Sequence, residues 1–203
     1  MKRASTRFWL CASACAFLSS SALAQWPPRL YRIDDKYSPR PIRNNELTLA
    51  GLHPGKSTKT RASALYKPFG APRSEDAASF WIDSDSCEKV TLDFDEKGVI
   101  QTIHVGINVF NGQKSCQLVG PGVGWKTGKG LTLRASCADV AKLYGEPDSR
   151  SPSTKNGQPL ELLYYAFDWA GPDVPQVMEV VCTAEKEGKP GRVVEITLAA
   201  GSL

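Results

Sequence analysis

Two short stretches repeat one pattern: Lys67-Pro68-Phe69-Gly70-Ala71-Pro72 and, 75 residues later, Lys142-Leu143-Tyr144-Gly145-Glu146-Pro147. Lys, Gly and Pro recur in register, and Phe69 matches Tyr144. Gly55 and Gly130 share the offset, and Leu65 aligns with Val140. A glycine that ends an apolar helical pattern, with proline two residues on, is a helix stop: glycine takes the left-handed cap and proline cannot continue the helix. Upstream of the second stop, Ser136 is placed to cap a helix through Ala138, Val140, Ala141, Leu143 and Tyr144, and Asp139 complements the dipole in its first turn. Thr58 is the matching cap for Ala62, Leu65 and Phe69, where Pro68 shortens or distorts the last turn.

Each helix is followed by strand patterns. In the first half these are Ser79–Asp83, Lys89–Asp95 and Val99–Val109, with Asp95-Glu96-Lys97-Gly98 as a hairpin turn. In the second half they are Leu160–Trp169, Gln176–Ala184 and Arg192–Ala199, with Glu185 to Gly191 as the turn. The offset grows toward the C-terminus, which predicts insertions at Ser149–Pro159 and Ala170–Pro175. The expected fold is α+β: two tandem units, 47–110 and 131–203, each a short helix packed on an antiparallel sheet and joined by the Gly-rich linker 111–130.

Alternation assigns the faces, since one side of such a sheet packs on helix and the other can meet water. Val90, Leu92, Phe94, Ile103, Val105 and Ile107, with Val194, Ile196 and Leu198, are expected to face the helices. Thr91, Asp93, Thr102 and His104, with Val177, Glu179, Val181, Val193, Glu195 and Thr197, make the open face, and Trp81 and Asp83 are expected to join it. Tyr165, Phe167 and Trp169 alternate together, and periodicity leaves their side open. On the open face they form an aromatic platform with a polar rim, as at a protein-binding hot spot; otherwise they close the core. The expected partner-binding residues are therefore Trp81, Asp83, Asp93, His104, Tyr165 and Trp169.

The 203 residues are 41% hydrophobic and 23% charged, with net charge +4. This is globular composition and excludes wholesale disorder, a collagen-like chain and a multi-span membrane protein. Lys2, Arg3 and Arg7 precede the apolar run Phe8 to Leu18, and Ala22-Leu23-Ala24 supplies small residues for a signal peptidase. Residues 1–24 read as a signal peptide cleaved after Ala24. The run is shorter than the ~20 residues that span a bilayer. Cys15, after Ala12-Ser13-Ala14, is the rival lipidation site, although it has no Leu three places before it. Without the signal the balance falls to +1, which argues against a nucleic-acid binder. Residues 25–46 form a Pro-rich basic arm, either simply solvated or in weak contact with an anionic membrane surface. A periplasmic or secreted location is expected.

Four cysteines stay after cleavage, Cys87, Cys116, Cys137 and Cys182, an even number suited to an oxidising compartment. They allow three pairings, and spacing alone does not choose among them. Catalytic signatures are scarce. There is no Cys-x-x-Cys and no Gly-x-Ser-x-Gly. Only His53 and His104 are available as histidines. Neither a metal site nor a cofactor is expected. In Gly122-Val123-Gly124-Trp125-Lys126-Thr127, Trp125 stands where a phosphate loop requires glycine; the stretch reads as linker, with Trp125 pinning it to the core. An acid–base pair of His104 and Asp93 is the basis of the alternative reading, a small periplasmic hydrolase.

Gly55-Lys56-Ser57-Thr58, Phe69-Gly70-Ala71-Pro72, Asp95-Glu96-Lys97-Gly98-Val99 and Leu143-Tyr144-Gly145-Glu146-Pro147-Asp148 together resemble the β-lactamase inhibitor protein fold. They also resemble the small outer-membrane lipoprotein of the β-barrel assembly machinery, whose single unit has the same shape. The resemblance runs from about Leu47 to Ala199 and is one of fold. It implies an inhibitor-type or immunity-type protein, or an envelope-assembly accessory, that binds another envelope or secreted protein and has no catalytic residues. The chain differs from the lipoprotein around Cys15 and from the inhibitor in its second-half insertions, so no binding residue carries over. The same shape implies a helix-to-sheet bridge between Cys137 and Cys182, leaving Cys87 for Cys116.

Overall fold

The computed structural model describes residues 46, 48–107, 124–167, 176–185, 188 and 190–201, all within the compact unit Pro41–Leu203. The signal peptide, nearly all of the basic arm, residues 111–123 of the linker, Cys116 and Trp169 lie outside the described residues.

The architecture is α+β, and most of it is sheet. Helix α1 (Lys59–Leu65) precedes strands β1 (Arg73–Glu75), β2 (Ala78–Asp83), β3 (Glu88–Phe94) and β4 (Ile100–Ile107). Helix α2 (Cys137–Tyr144) precedes β5 (Ser149–Lys155), β6 (Gln158–Ala166), β7 (Gln176–Thr183) and β8 (Val193–Ala200). The eight strands form one antiparallel sheet in the order β1-β2-β3-β4-β8-β7-β6-β5. The sheet does not stop between the halves: β4 pairs with β8, aligning Ile103 with Leu198 and Val105 with Ile196.

Both helix ends follow from their residues. The Thr58 hydroxyl accepts from the Arg61 N–H, and the Ser136 hydroxyl accepts from the Ala138 N–H. Gly70 (φ 89°, ψ −166°) and Gly145 (φ 78°, ψ −167°) stop the two segments in the same left-handed conformation, one that costs a residue with a Cβ more than glycine. Pro68 turns the first segment into a 3-10 turn, Lys67–Phe69, before Gly70, whereas α2 runs directly into Gly145. Each helix start is also stitched to the hairpin before the last strand of its half. The Lys59 N–H donates to the Gly98 carbonyl and the Cys137 N–H to the Gly191 carbonyl, both at 3.0 Å.

One face of the sheet is the core. A row of directly paired residues, Trp81–Val90–Val105–Ile196–Val180–Leu163, crosses six strands. A second row, Ser79–Leu92–Ile103–Leu198–Met178–Tyr165, runs beside it, and every residue of both rows is buried. Paired residues share a face in a pleated sheet, so the helices and this double stripe enclose one continuous apolar cluster. Ala62, Tyr66, Val140 and Tyr144 cover it from the helix side. Trp125 is buried against Tyr66 and Phe69, with ring centroids 6.0 and 5.4 Å away, and so pins the end of the linker as expected.

Three expectations about the strands need correction. Ser149–Pro159, expected as an insertion with no strand of its own, folds as the greater part of the hairpin β5–β6, turned by Asn156-Gly157 with positive φ at both residues (51° and 76°). Asn-Gly is the usual two-residue hairpin turn, but its signal was masked by Ser-rich, Pro-containing flanks of low strand propensity. Pro152 is tolerated because β5 is an edge strand. Second, the short edge strand β1 follows the first helix stop where no strand was expected. Third, a bulge between Val181 and Cys182 sets Val193 opposite Cys182, moving Val193 from the open face to the core.

The Cys137–Cys182 disulfide is present, with Cα atoms 6.2 Å apart and a sequence separation of 45. It ties the first residue of α2 to β7, the pairing implied by the resemblance. Cys87 is buried and also disulfide-bonded.

A polar latch lies on the helix side. Glu46 is only 2% exposed. Its carboxylate accepts from the Lys129 N–H (3.1 Å) and the Tyr144 hydroxyl (2.6 Å). The Thr127 hydroxyl lies 2.6 Å from the same phenol, which has one hydrogen to give and therefore accepts from Thr127. A Cβ on Gly128 would lie 2.4 Å from the Glu46 carboxylate, so only glycine lets the loop close over it. Burial, reinforced by the hydrogen bond to Glu46, pushes the Tyr144 phenol far above the usual tyrosine range. Tyr144→Phe keeps the ring but leaves a buried carboxylate one donor short. It is expected to cost about 1–3 kcal/mol in urea unfolding; an unchanged midpoint would remove the latch from the account of stability.

Candidate functional site

No described helix covers the other face of the sheet. One row across it is Phe80–Thr91–His104–Thr197–Glu179–Tyr164, and the next is Ile82–Lys89–Gly106–Glu195–Val181–Leu162. All except Gly106 are partly exposed. The ends of this surface are apolar and aromatic, with Phe80 and Ile82 on β2 and Leu162 and Tyr164 on β6. The centre is polar.

The centre is built around His104 in the middle of β4. Its Nδ1 lies 2.9 Å from the Thr197 hydroxyl across the β4–β8 pair. The ring leans over Gly106, where any Cβ would sit 3.0 Å from Nε2 and 3.5 Å from Glu195 Cγ. Glycine therefore leaves the plot that the imidazole and the Glu195 stem share. The Glu195 carboxylate pairs with Lys155, which reaches across from β5. On β3, Lys89 pairs with Glu75 at 2.8 Å and lies over the Phe80 ring, 4.2 Å from its centroid. Desolvation holds the His104 imidazole below its ordinary range; Glu195 opposes that shift, and Lys155 and Lys89 add to it.

The structure divides the expected partner-binding residues. His104 and Asp93 are on the open face, but Asp93 stands opposite Thr102, and the hydrogen-bond partner across from the His104 ring is Thr197. Trp81 is not on the open face. Its register opposite Val90 turns it into the core, 1% exposed, with the Tyr66 ring 5.1 Å away. Asp83 lies on the same side, opposite Glu88, and its carboxylate accepts from the Ser86 N–H at 2.9 Å. It shapes the β2–β3 turn. Tyr165 is fully buried opposite Met178, and its hydroxyl donates to the Gly145 carbonyl (3.1 Å). Tyr165 and Phe167 close the core around Tyr144. Trp169 lies outside the described residues.

Sequence reasoning missed Phe80, Ile82, Leu162 and Tyr164 as open-face residues. Strand β2 alternates well in either phase, and its phase is set by the β2–β3 turn, which includes Cys87 at φ 59°. A non-glycine residue in that conformation leaves no mark in the sequence. For β6 the phase was readable only from its pairing with β7, where Tyr164 meets Glu179.

No family model matches the chain, and no curated protein does. Among solved structures, a DUF4309 family protein from Bacillus subtilis is 15% identical, with a TM-score of 0.40 over 79% of this chain and 88% of its own. A cysteine-rich secretory protein from Staphylococcus aureus is 9% identical, with a TM-score of 0.30 over 68% of this chain and 42% of its own. Both likenesses are too slight to assign a fold or an activity. Among the described residues no helix is long and apolar enough to cross a membrane.

Proposed function

We propose that this chain is an exported protein–protein interaction module of the cell envelope, working as an inhibitor or an assembly accessory, which binds its partner through the open face of the sheet. The observation that carries the reading is the one-sidedness of the described sheet. Both helices, the Cys137–Cys182 bridge and the apolar cluster lie on one side, while the other presents a six-strand surface with apolar ends and a hydrogen-bonding centre. Large apolar and aromatic anchors around satisfied polar groups are what a protein interface requires.

The tandem-unit reading belongs to the same proposal. It is supported by the shared helix stops at Gly70 and Gly145, the paired stitches at Lys59 and Cys137, and the strand order that mirrors about the β4–β8 pair. A duplicated unit joined strand to strand gives a face twice as broad as one unit offers.

A hydrolase using His104 has less behind it. Acyl transfer needs N–H donors aimed at the developing oxyanion. The backbone around His104 is engaged with β3 on one side and β8 on the other, which leaves no free pair of amides in these strands beside the ring.

Thr197→Arg and Tyr164→Ala alter the face without touching the core. Each is expected to abolish capture of a stoichiometric partner from an envelope extract, with unfolding midpoints near wild type, while Lys142→Glu on the exposed side of α2 leaves capture intact. If no partner is captured, or capture survives both face substitutions, the reading is wrong.

A further inference from the structure

The plot above Gly106 holds two groups whose charges depend on one another. The His104 imidazole and the Glu195 stem both crowd it: a Cβ at position 106 would lie 3.0 Å from Nε2 and 3.5 Å from Glu195 Cγ. Thr197 occupies the Nδ1 side of the ring at 2.9 Å. The Glu195 side chain is 14% exposed, and its carboxylate is paired with Lys155. The other charged groups that face His104 are Lys89 and Asp93 on β3, and Glu179 on β7 lies opposite Thr197. Among the described carboxylates, Glu195 alone shares the plot.

We propose that protonation of His104 is a switch built into the open face, in which the imidazolium competes with Lys155 for the Glu195 carboxylate and loosens the tie that Lys155 makes from the edge strand β5 across to β8. With the ring neutral, Glu195 belongs to Lys155 and the centre of the face carries no added charge. A proton on the ring makes both nitrogens donors. Nδ1–H then points at Thr197, and Nε2–H lies on the Gly106 side, beside the Glu195 stem. The face gains one positive charge at its middle, and Lys155 must share its counter-charge. A partner seated on these strands meets a different charge pattern on either side of that transition, and only this consequence rests on the binding reading.

Physical chemistry sets the direction. The ring is desolvated and has two lysines nearby, so the switch operates below the ordinary imidazole midpoint of about 6.5. Because the folded chain holds this proton more weakly than the unfolded one, the linked stability is full above the ordinary midpoint. It is lost as the pH falls through that midpoint toward the folded one.

The test follows the His104 ring and the Lys155 side chain of the whole chain by NMR as pH falls, with His104→Gln separating the signal from that of His53. His104 is expected to titrate below 6.5, and the Lys155 signals to move with the same midpoint. Glu195→Gln is expected to lower that midpoint further, and Lys155→Met to raise it. An ordinary or raised midpoint, Lys155 signals indifferent to the His104 transition, or a midpoint unmoved by both substitutions would overturn the switch. Two opposed substitutions guard against one failing to fold. No partner is used, so failure here leaves the binding reading standing, and a failed capture experiment leaves the switch standing.

Discussion

Trp81→Ala is expected to lower the free energy of unfolding by about 3–5 kcal/mol, the usual cost of removing a large aromatic from a packed core. The ring is fully enclosed: Val90 lies opposite it on β3, and the Tyr66 ring meets it edge-on from the end of α1. Tyr66 in turn touches Phe69 and Trp125, so the cavity would open at the point where helix, sheet and linker meet. Partial collapse around the cavity lowers the cost and full rigidity raises it. Denaturant unfolding with an unchanged slope is the measurement. A loss within about 0.5 kcal/mol, the scale of surface substitutions, would mean that Trp81 is not in the core at all. The same substitution is a poor probe of binding, because any lost capture would report unfolding.

The second large effect belongs to the Cys137–Cys182 bridge. Replacing both cysteines with alanine is expected to cost about 4 kcal/mol by the chain-entropy model for a loop of this length. The effect has a local signature. Cys137 is the first residue of α2, and its N–H is held by the Gly191 carbonyl. A Cβ on Gly191 would meet the Thr183 carbonyl at 2.2 Å and the Cys137 sulfur at 3.3 Å, so helix start, bridge and β7–β8 turn are packed as one unit. Hydrogen exchange in α2 should therefore rise in the double variant before that in β3 and β4. Uniform loss of protection across the sheet, or a cost near zero, would contradict this picture.

Much of the frame was legible in residues. Ser136 and Gly145 bracket α2 because a hydroxyl satisfies an orphan N–H and glycine accepts a left-handed stop, and both are local events. The stripes Val90–Leu92, Ile103–Val105 and Ile196–Leu198 were readable because a strand repeats every two residues, and all six residues are buried. Errors arose where phase depends on something non-local. Trp81 was misplaced because a turn with a left-handed Cys87 sets the β2 register. Val193 was misplaced because one bulged residue reverses every side chain beyond it.

Composition and local patterning thus specify an α+β class, two capped helices at matching stops, the identity of most strands and the alternation of their core-facing residues, since these depend on interactions within a few residues. Long-range strand pairing is what joins the two halves in one sheet through β4 and β8, buries Trp81 and Tyr165, and brings His104, Gly106, Thr197, Glu195 and Lys155 together. Those residues come from three strands separated by up to ninety-odd positions. Their meeting follows from strand register, which is fixed by turns, bulges and burial summed over the whole sheet and not by any one segment.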